Sequence, residues 1–132
     1  MYKPFYCISG YIKNLPAIEN ESRHRVLGGL INTRAGHKNV AQEIVGVYTD
    51  QSGERSQEAS YRVYAQDIDP SAIEALRVQF KQESILFVDH YGEAWLDYGT
   101  HRVKLGQWCE VDMTHTMQFD HSIINGRFYG VV

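Results

Sequence analysis

Glu43-Ile44-Val45-Gly46-Val47-Tyr48-Thr49, then Asp50-Gln51-Ser52-Gly53-Glu54, then Ala59-Ser60-Tyr61-Arg62-Val63-Tyr64-Ala65, is the stretch on which the architecture turns. Two runs rich in β-branched and aromatic residues flank a segment of turn formers, which predicts two strands paired as a hairpin. On either side the pattern is helical. Upstream, Asn20 reads as an N-cap, Glu21 suits the positive end of the helix dipole, and Val26, Leu27, Leu30 and Ile31 recur at helical spacing until Gly36 ends the run. Downstream, Asp69 as N-cap, Pro70 at the first helical position and Ile73, Leu76 and Phe80 on one face predict a second helix.

Further out, Phe5 to Ile12 reads as a strand ended by Asn14-Leu15-Pro16. Ser84 to Val88 is a compact apolar run of the central-strand type, and Tyr91-Gly92 turns it back into Glu93 to Tyr98. Gly99 to Leu105 and Trp108 to Met113 add short strands, while Thr114 to Val132 receives no element. The order strand, helix, strand, strand, helix, strand predicts an α+β, ferredoxin-like (PII-like) antiparallel sheet, with two helices on one face and a β-rich C-terminal extension. Such a sheet leaves its other face uncovered, and this predicts oligomerisation. By analogy with PII-type trimers, ligand clefts would lie between subunits.

Composition sets bounds on function. A chain of 132 residues suits one domain over 1–132, large enough for a core but small enough that deep clefts within one subunit are hard to build. The net charge of −3, from 13 basic and 16 acidic side chains, leaves no electrostatic footprint for nucleic acid and is too weak for mimicry of DNA by charge. No apolar run approaches the roughly 20 residues of a membrane span, and Met1-Tyr2-Lys3-Pro4 runs straight into a strand, so a cytoplasmic location is expected. In that compartment Cys7 and Cys109 are expected to be reduced thiols. Gly28-Gly29 inside the first helix costs about 1 kcal/mol per glycine relative to alanine, which points to close packing of helix against sheet.

Several short motifs carry a family resemblance. Glu21-Ser22-Arg23-His24-Arg25, Gly46-Val47-Tyr48, Glu58, Tyr61-Arg62-Val63 and Trp108-Cys109-Glu110-Val111 together resemble the pattern of the phage-encoded S-adenosylmethionine lyases, formerly called hydrolases. The likeness covers the chain between about Phe5 and Val111, and it differs where Cys109 stands in place of a glutamine before the acid. It implies cleavage of S-adenosylmethionine to 5′-methylthioadenosine and L-homoserine lactone, as a phage defence against host restriction by depletion of the methyl donor. It implies catalytic and substrate-binding roles for Tyr48, Glu58 and Glu110, no cofactor and no metal. Tyr48 and Glu58 would hold the ligand's amino group or orient the reacting end, and Glu110 would contact the ribose or ammonium. Arg23 is a candidate clamp for the substrate carboxylate. A tight clamp would weaken that carboxylate as a nucleophile, so a structural or interface role for Arg23-His24-Arg25 is favoured. The assembly expected is a homotrimer with sites between subunits.

Other constellations are weaker. His115, Asp120 and His121, with His101 and Asp112, include metal-ligating types, but their spacings match no standard motif. Cys109 beside Glu110 formally allows a thiol nucleophile without any family-specific cysteine signature. Trp95 and Trp108 are core or interface residues, with one aromatic ring free to stack on an adenine. Two alternatives stand beside the lyase: a PII-like sensor of an adenine-containing ligand without catalysis, and a hydrolase that gives homoserine directly.

Overall fold

The computed structural model describes residues 2–49 and 52–132. Its elements, in chain order, are β1 (Phe5–Ile8), α1 (Ala17–Arg34), β2 (Gln42–Thr49), β3 (Arg55–Tyr64), α2 (Pro70–Gln79), β4 (Ile85–Val88), β5 (Glu93–Asp97), β6 (Arg102–Glu110), α3 (Met113–Gln118), β7 (His121–Ile124) and β8 (Arg127–Val131). β2 and β3 pair antiparallel from Gln42 opposite Arg62 to Thr49 opposite Arg55. The hairpin turn residues Asp50 and Gln51 lie outside the described residues.

The ferredoxin-like, PII-like open sheet is not what forms. The strands close into an antiparallel barrel in the order β1-β3-β2-β7-β8-β6-β5-β4, with β4 returning to β1. Locally, β4, β1, β3 and β2 lie side by side in the order a split βαβ pattern would give. What the expectation missed is the extension. β5 adds to the β4 edge, β7 adds to the β2 edge, and β6 joins them through β8, so both edges are consumed. Full closure removes the unpaired N–H and C=O groups that an open edge exposes. It also covers the second sheet face with the sheet itself, so the bare face that argued for oligomerisation does not exist.

Alternation along the strands divides the apolar residues into two sets. Outward-facing Tyr6, Ile8, Tyr61 and Val63 meet Leu27 and Ile31 of α1 and Ile73, Leu76 and Phe80 of the α2 region in one cluster. Inward-facing Phe5, Cys7, Ile44, Val88, Ala94, Trp108 and Ile124 form the other. Phe5 meets Trp108 edge-on at 5.6 Å, and Tyr129 stacks parallel to Trp108 at 6.0 Å. These rings fill one end of the barrel.

α1 begins at Ala17 behind Pro16, three residues before the expected cap. Asn20 is therefore inside the helix, where its side chain accepts from the Ile12 amide at 2.9 Å and donates to the Ile12 carbonyl at 3.0 Å. It imitates a strand neighbour for the segment after β1. Arg23-His24-Arg25 consequently sits beyond the first turn of α1. Only the first glycine of Gly28-Gly29 marks a close approach: a Cβ at Gly28 would lie 2.5 Å from the Tyr61 hydroxyl oxygen, whereas one at Gly29 meets nothing. α2 starts at Pro70 after Asp69 and buries Ile73 and Leu76.

The C-terminal half departs furthest from expectation. The two short strands read from Gly99 to Met113 are one strand, β6, which carries a bulge opposite Ala94 and Trp95. It stops at Glu110 because Asp112 caps α3, its carboxylate accepting from the His115 amide at 3.0 Å. The unassigned tail supplies β7 and β8, joined at Asn125-Gly126, both with positive φ. That is the backbone of a tight two-residue hairpin turn.

Candidate active site

Opposite the aromatic plug the barrel opens into a cavity of about 900 Å³. Residues from both halves of the chain line it: Cys7 of β1, Tyr48 of β2, Glu58 and Ser60 of β3, Trp108 of β6, and Asp120, His121 and Ser122 at the start of β7. Register explains the grouping. Gly46 lies opposite Glu58 on one side and Ser122 on the other, and side chains directly opposite point to the same face. Tyr48 follows two residues on, so it too points inward. Its ring lies back over Gly46, where an added Cβ would be 2.5 Å from the hydroxyl oxygen. The phenol thus ends between Glu58 and Ser122 rather than at the rim.

Electrostatics follow from that placement. The Tyr48 residue is 40 % exposed, because the cavity is open above its ring. Its hydroxyl end is nonetheless desolvated, and burial first, then Cys7, Glu58 and Asp120, push the phenol well above its ordinary value, so it stays neutral and able to donate. The Ser60 hydroxyl acts in the opposite sense, yet it forms no hydrogen bond of normal geometry and remains buried without a partner. Burial likewise raises the Glu58 carboxyl, which makes no ion pair among the described residues. Burial pushes the Cys7 thiol up to about 12, with Arg62 opposing, which leaves a poor nucleophile.

Of the residues singled out in the sequence, the fold brings Tyr48 and Glu58 together and leaves the others elsewhere. Glu110 is two residues beyond Trp108 toward the filled end, outside the cavity lining, where its half-exposed carboxylate approaches Arg127 at 3.5 Å. Arg23 donates to the carbonyls of Gly10 and Phe80, both at 2.6 Å, and thereby ties the end of β1 to both long helices. Cys109 alternates with Trp108 and Glu110 and so faces away from the lumen. The histidine and aspartate set is dispersed: Asp112 caps α3, Asp120 accepts from the Thr49 amide at 2.8 Å, and His101 stacks on Tyr98. Among the described residues no group of three His, Cys, Asp or Glu could hold a metal ion.

The sequence reading missed Asp120, His121 and Ser122 as wall residues. Asn125-Gly126 between Ile123-Ile124 and Arg127-Phe128-Tyr129 was the signal that could have placed them on a hairpin. Ser60 was hidden because a serine in a strand carries no sign of which face it occupies.

Comparison with known proteins adds the chemistry. A family model described as the S-adenosylmethionine lyase family matches residues 6–132. Among solved structures, the chain is similar to one described as a phage SAM lyase in complex with S-methyl-5′-thioadenosine, at 20% identity and a TM-score of 0.34, over 77% of this chain and 86% of that one. No curated protein matches the chain. Because the family match runs from Tyr6 to the last residue, taking in both walls of the cavity, this chain belongs to the S-adenosylmethionine lyase family, enzymes that break a carbon–sulfur bond of S-adenosylmethionine.

Proposed function

We propose that the barrel cavity is where the donor is cleaved, and that the attacking group is the donor's own carboxylate. In this reaction the carboxylate oxygen attacks the γ-carbon, the C–O bond forms as the γ-carbon–sulfur bond breaks, and the electron pair goes to sulfur. The products are neutral 5′-methylthioadenosine and L-homoserine lactone, which keeps the ammonium charge. The protein supplies neither a nucleophile nor a cofactor. Its task is to hold the methionine portion in the attacking conformer and to exclude water.

The observation that carries this reading is the pairing of Glu58 and Tyr48 over Gly46, a desolvated carboxylate beside a neutral phenol. Glu58 has no cation partner among the described residues, so a bound ammonium relieves its desolvation while leaving the donor's carboxylate unclamped. Tyr48 donates to the reacting end. The unpartnered Ser60 hydroxyl at the cavity wall offers one further polar contact.

The assembly in this reading is a homotrimer, in which the half-exposed Glu110 of one copy reaches the ligand of the next. Its support is that Glu110 stands outside its own cavity. Acting in the host cytoplasm, the enzyme depletes the methyl donor as a phage counter to restriction and modification.

Incubation with S-adenosylmethionine and chromatography of the products tests the chemistry. Methylthioadenosine with homoserine lactone is expected. Homoserine from the first time point would show water activation instead, and an unreacted donor with measurable binding would show a sensor. Mixing Glu58→Gln with Glu110→Gln protein tests the assembly: shared sites regain part of the wild-type rate, whereas sites within one subunit regain none.

A further inference from the structure

We infer that Gly46 is a positioning residue of the reaction, acting through Tyr48; the inference rests on the role given to Tyr48 above. Residues 44, 46 and 48 share the lumen face of β2, so the ring of Tyr48 can lie along the strand only where position 46 carries no side chain. A Cβ there would stand 2.5 Å from the Tyr48 hydroxyl oxygen, 2.6 Å from Cε2 and 2.7 Å from Cζ. Contacts that short cannot persist, and the ring must move. Glu58 closes one flank and Ser122 the other, since both lie directly opposite Gly46. With both flanks occupied, the displaced ring loses its place beside Glu58.

The backbone gives no competing reason for glycine. Gly46 is absent from the positive-φ positions, so alanine is conformationally allowed there and suits a strand better. Gly28 provides an internal comparison. It too is overlain by a tyrosine, an added Cβ falling 2.5 Å from the Tyr61 hydroxyl oxygen, but on the outer face where α1 packs. The contact at Gly28 sets packing of a helix. The contact at Gly46 sets the position of a catalytic residue.

A double-mutant cycle tests this with Gly46→Ala, Tyr48→Ala and the two combined, read as kcat/KM and as thermal midpoint. Displacement of the phenol by about an ångström is expected to lower kcat/KM by about 10²-fold in the wild-type background. Once the ring is gone, Gly46→Ala is expected to cost no more than about twofold. An equal loss in both backgrounds would overturn the positioning role while leaving the role of Tyr48 intact. Wild-type rates in Tyr48→Ala would instead remove the reading of Tyr48 and this inference with it. If Gly46→Ala alone fails to fold, recovery of the midpoint in the combined variant supports the ring clash, and no recovery rejects it. Gly28→Ala lowers the midpoint as a control without altering the dependence of rate on Tyr48.

Discussion

At Glu58 stability and the proposed activity pull in opposite directions. Burial raises its pKa above the ordinary 4.5, so between those two values the native chain holds a proton that the unfolded chain has released. Stability therefore falls as pH rises through that window, and above it the desolvated charge is a standing penalty. Glu58→Gln is expected to raise the thermal midpoint at neutral pH, to leave it unchanged below the ordinary carboxyl range, and to lower turnover by about 10²-fold; calorimetry and a rate assay on one preparation check all of it. In the wild type, kcat/KM is expected to rise with pH on a limb whose apparent pKa lies above that of a free glutamate, because the ionised form binds the ammonium. Tyr48→Phe removes a donor but little volume. A fall of about 10²-fold in kcat with an unmoved midpoint is expected, and an unchanged rate would reject the phenol as a participant. That Tyr48 and Glu58 lie close together on one wall was legible from the hairpin pattern and the family motifs. Glu110 was legible as a motif residue but not as a place, since nothing local shows that β6 carries it past the cavity floor.

At the scale of elements, the β7–β8 hairpin matters most to the site, because it brings Asp120, His121 and Ser122 to the wall. Asn125 and Gly126 have φ of 52° and 76°. Gly126→Ala places a Cβ in that left-handed conformation and is expected to cost about 1 kcal/mol, measured by chemical denaturation. A neutral result would mean that the turn re-forms with another geometry. α3 is fixed to the same wall by Arg55, whose guanidinium donates to the Thr116 and Phe119 carbonyls. The hairpin of β2 and β3 and the start of α2 were readable from local chemistry, with Pro70 and the apolar spacing sufficient for the latter. The start of α1 was not, because Asn20 looks like a cap and serves instead as a hydrogen-bonding partner for Ile12.

For the molecule as a whole, closure is the property that local reading could not reach. The pairings β1 with β4, β2 with β7 and β6 with β8 join segments far apart in sequence, and each depends on register rather than composition. Trp108 stands where they meet, 4 % exposed between Phe5 and Tyr129. Trp108→Ala is expected to destabilise the barrel by about 3–5 kcal/mol, and equilibrium unfolding measures it. A loss below about 1 kcal/mol would show that the neighbouring rings collapse into the space.

The aromatic plug also governs traffic. For a donor cleaved in the lumen, as proposed above, the rings packed at one end make the opposite mouth its way in and the way out for both fragments. Under that proposal the fragment nearer the threshold leaves before the deeper one.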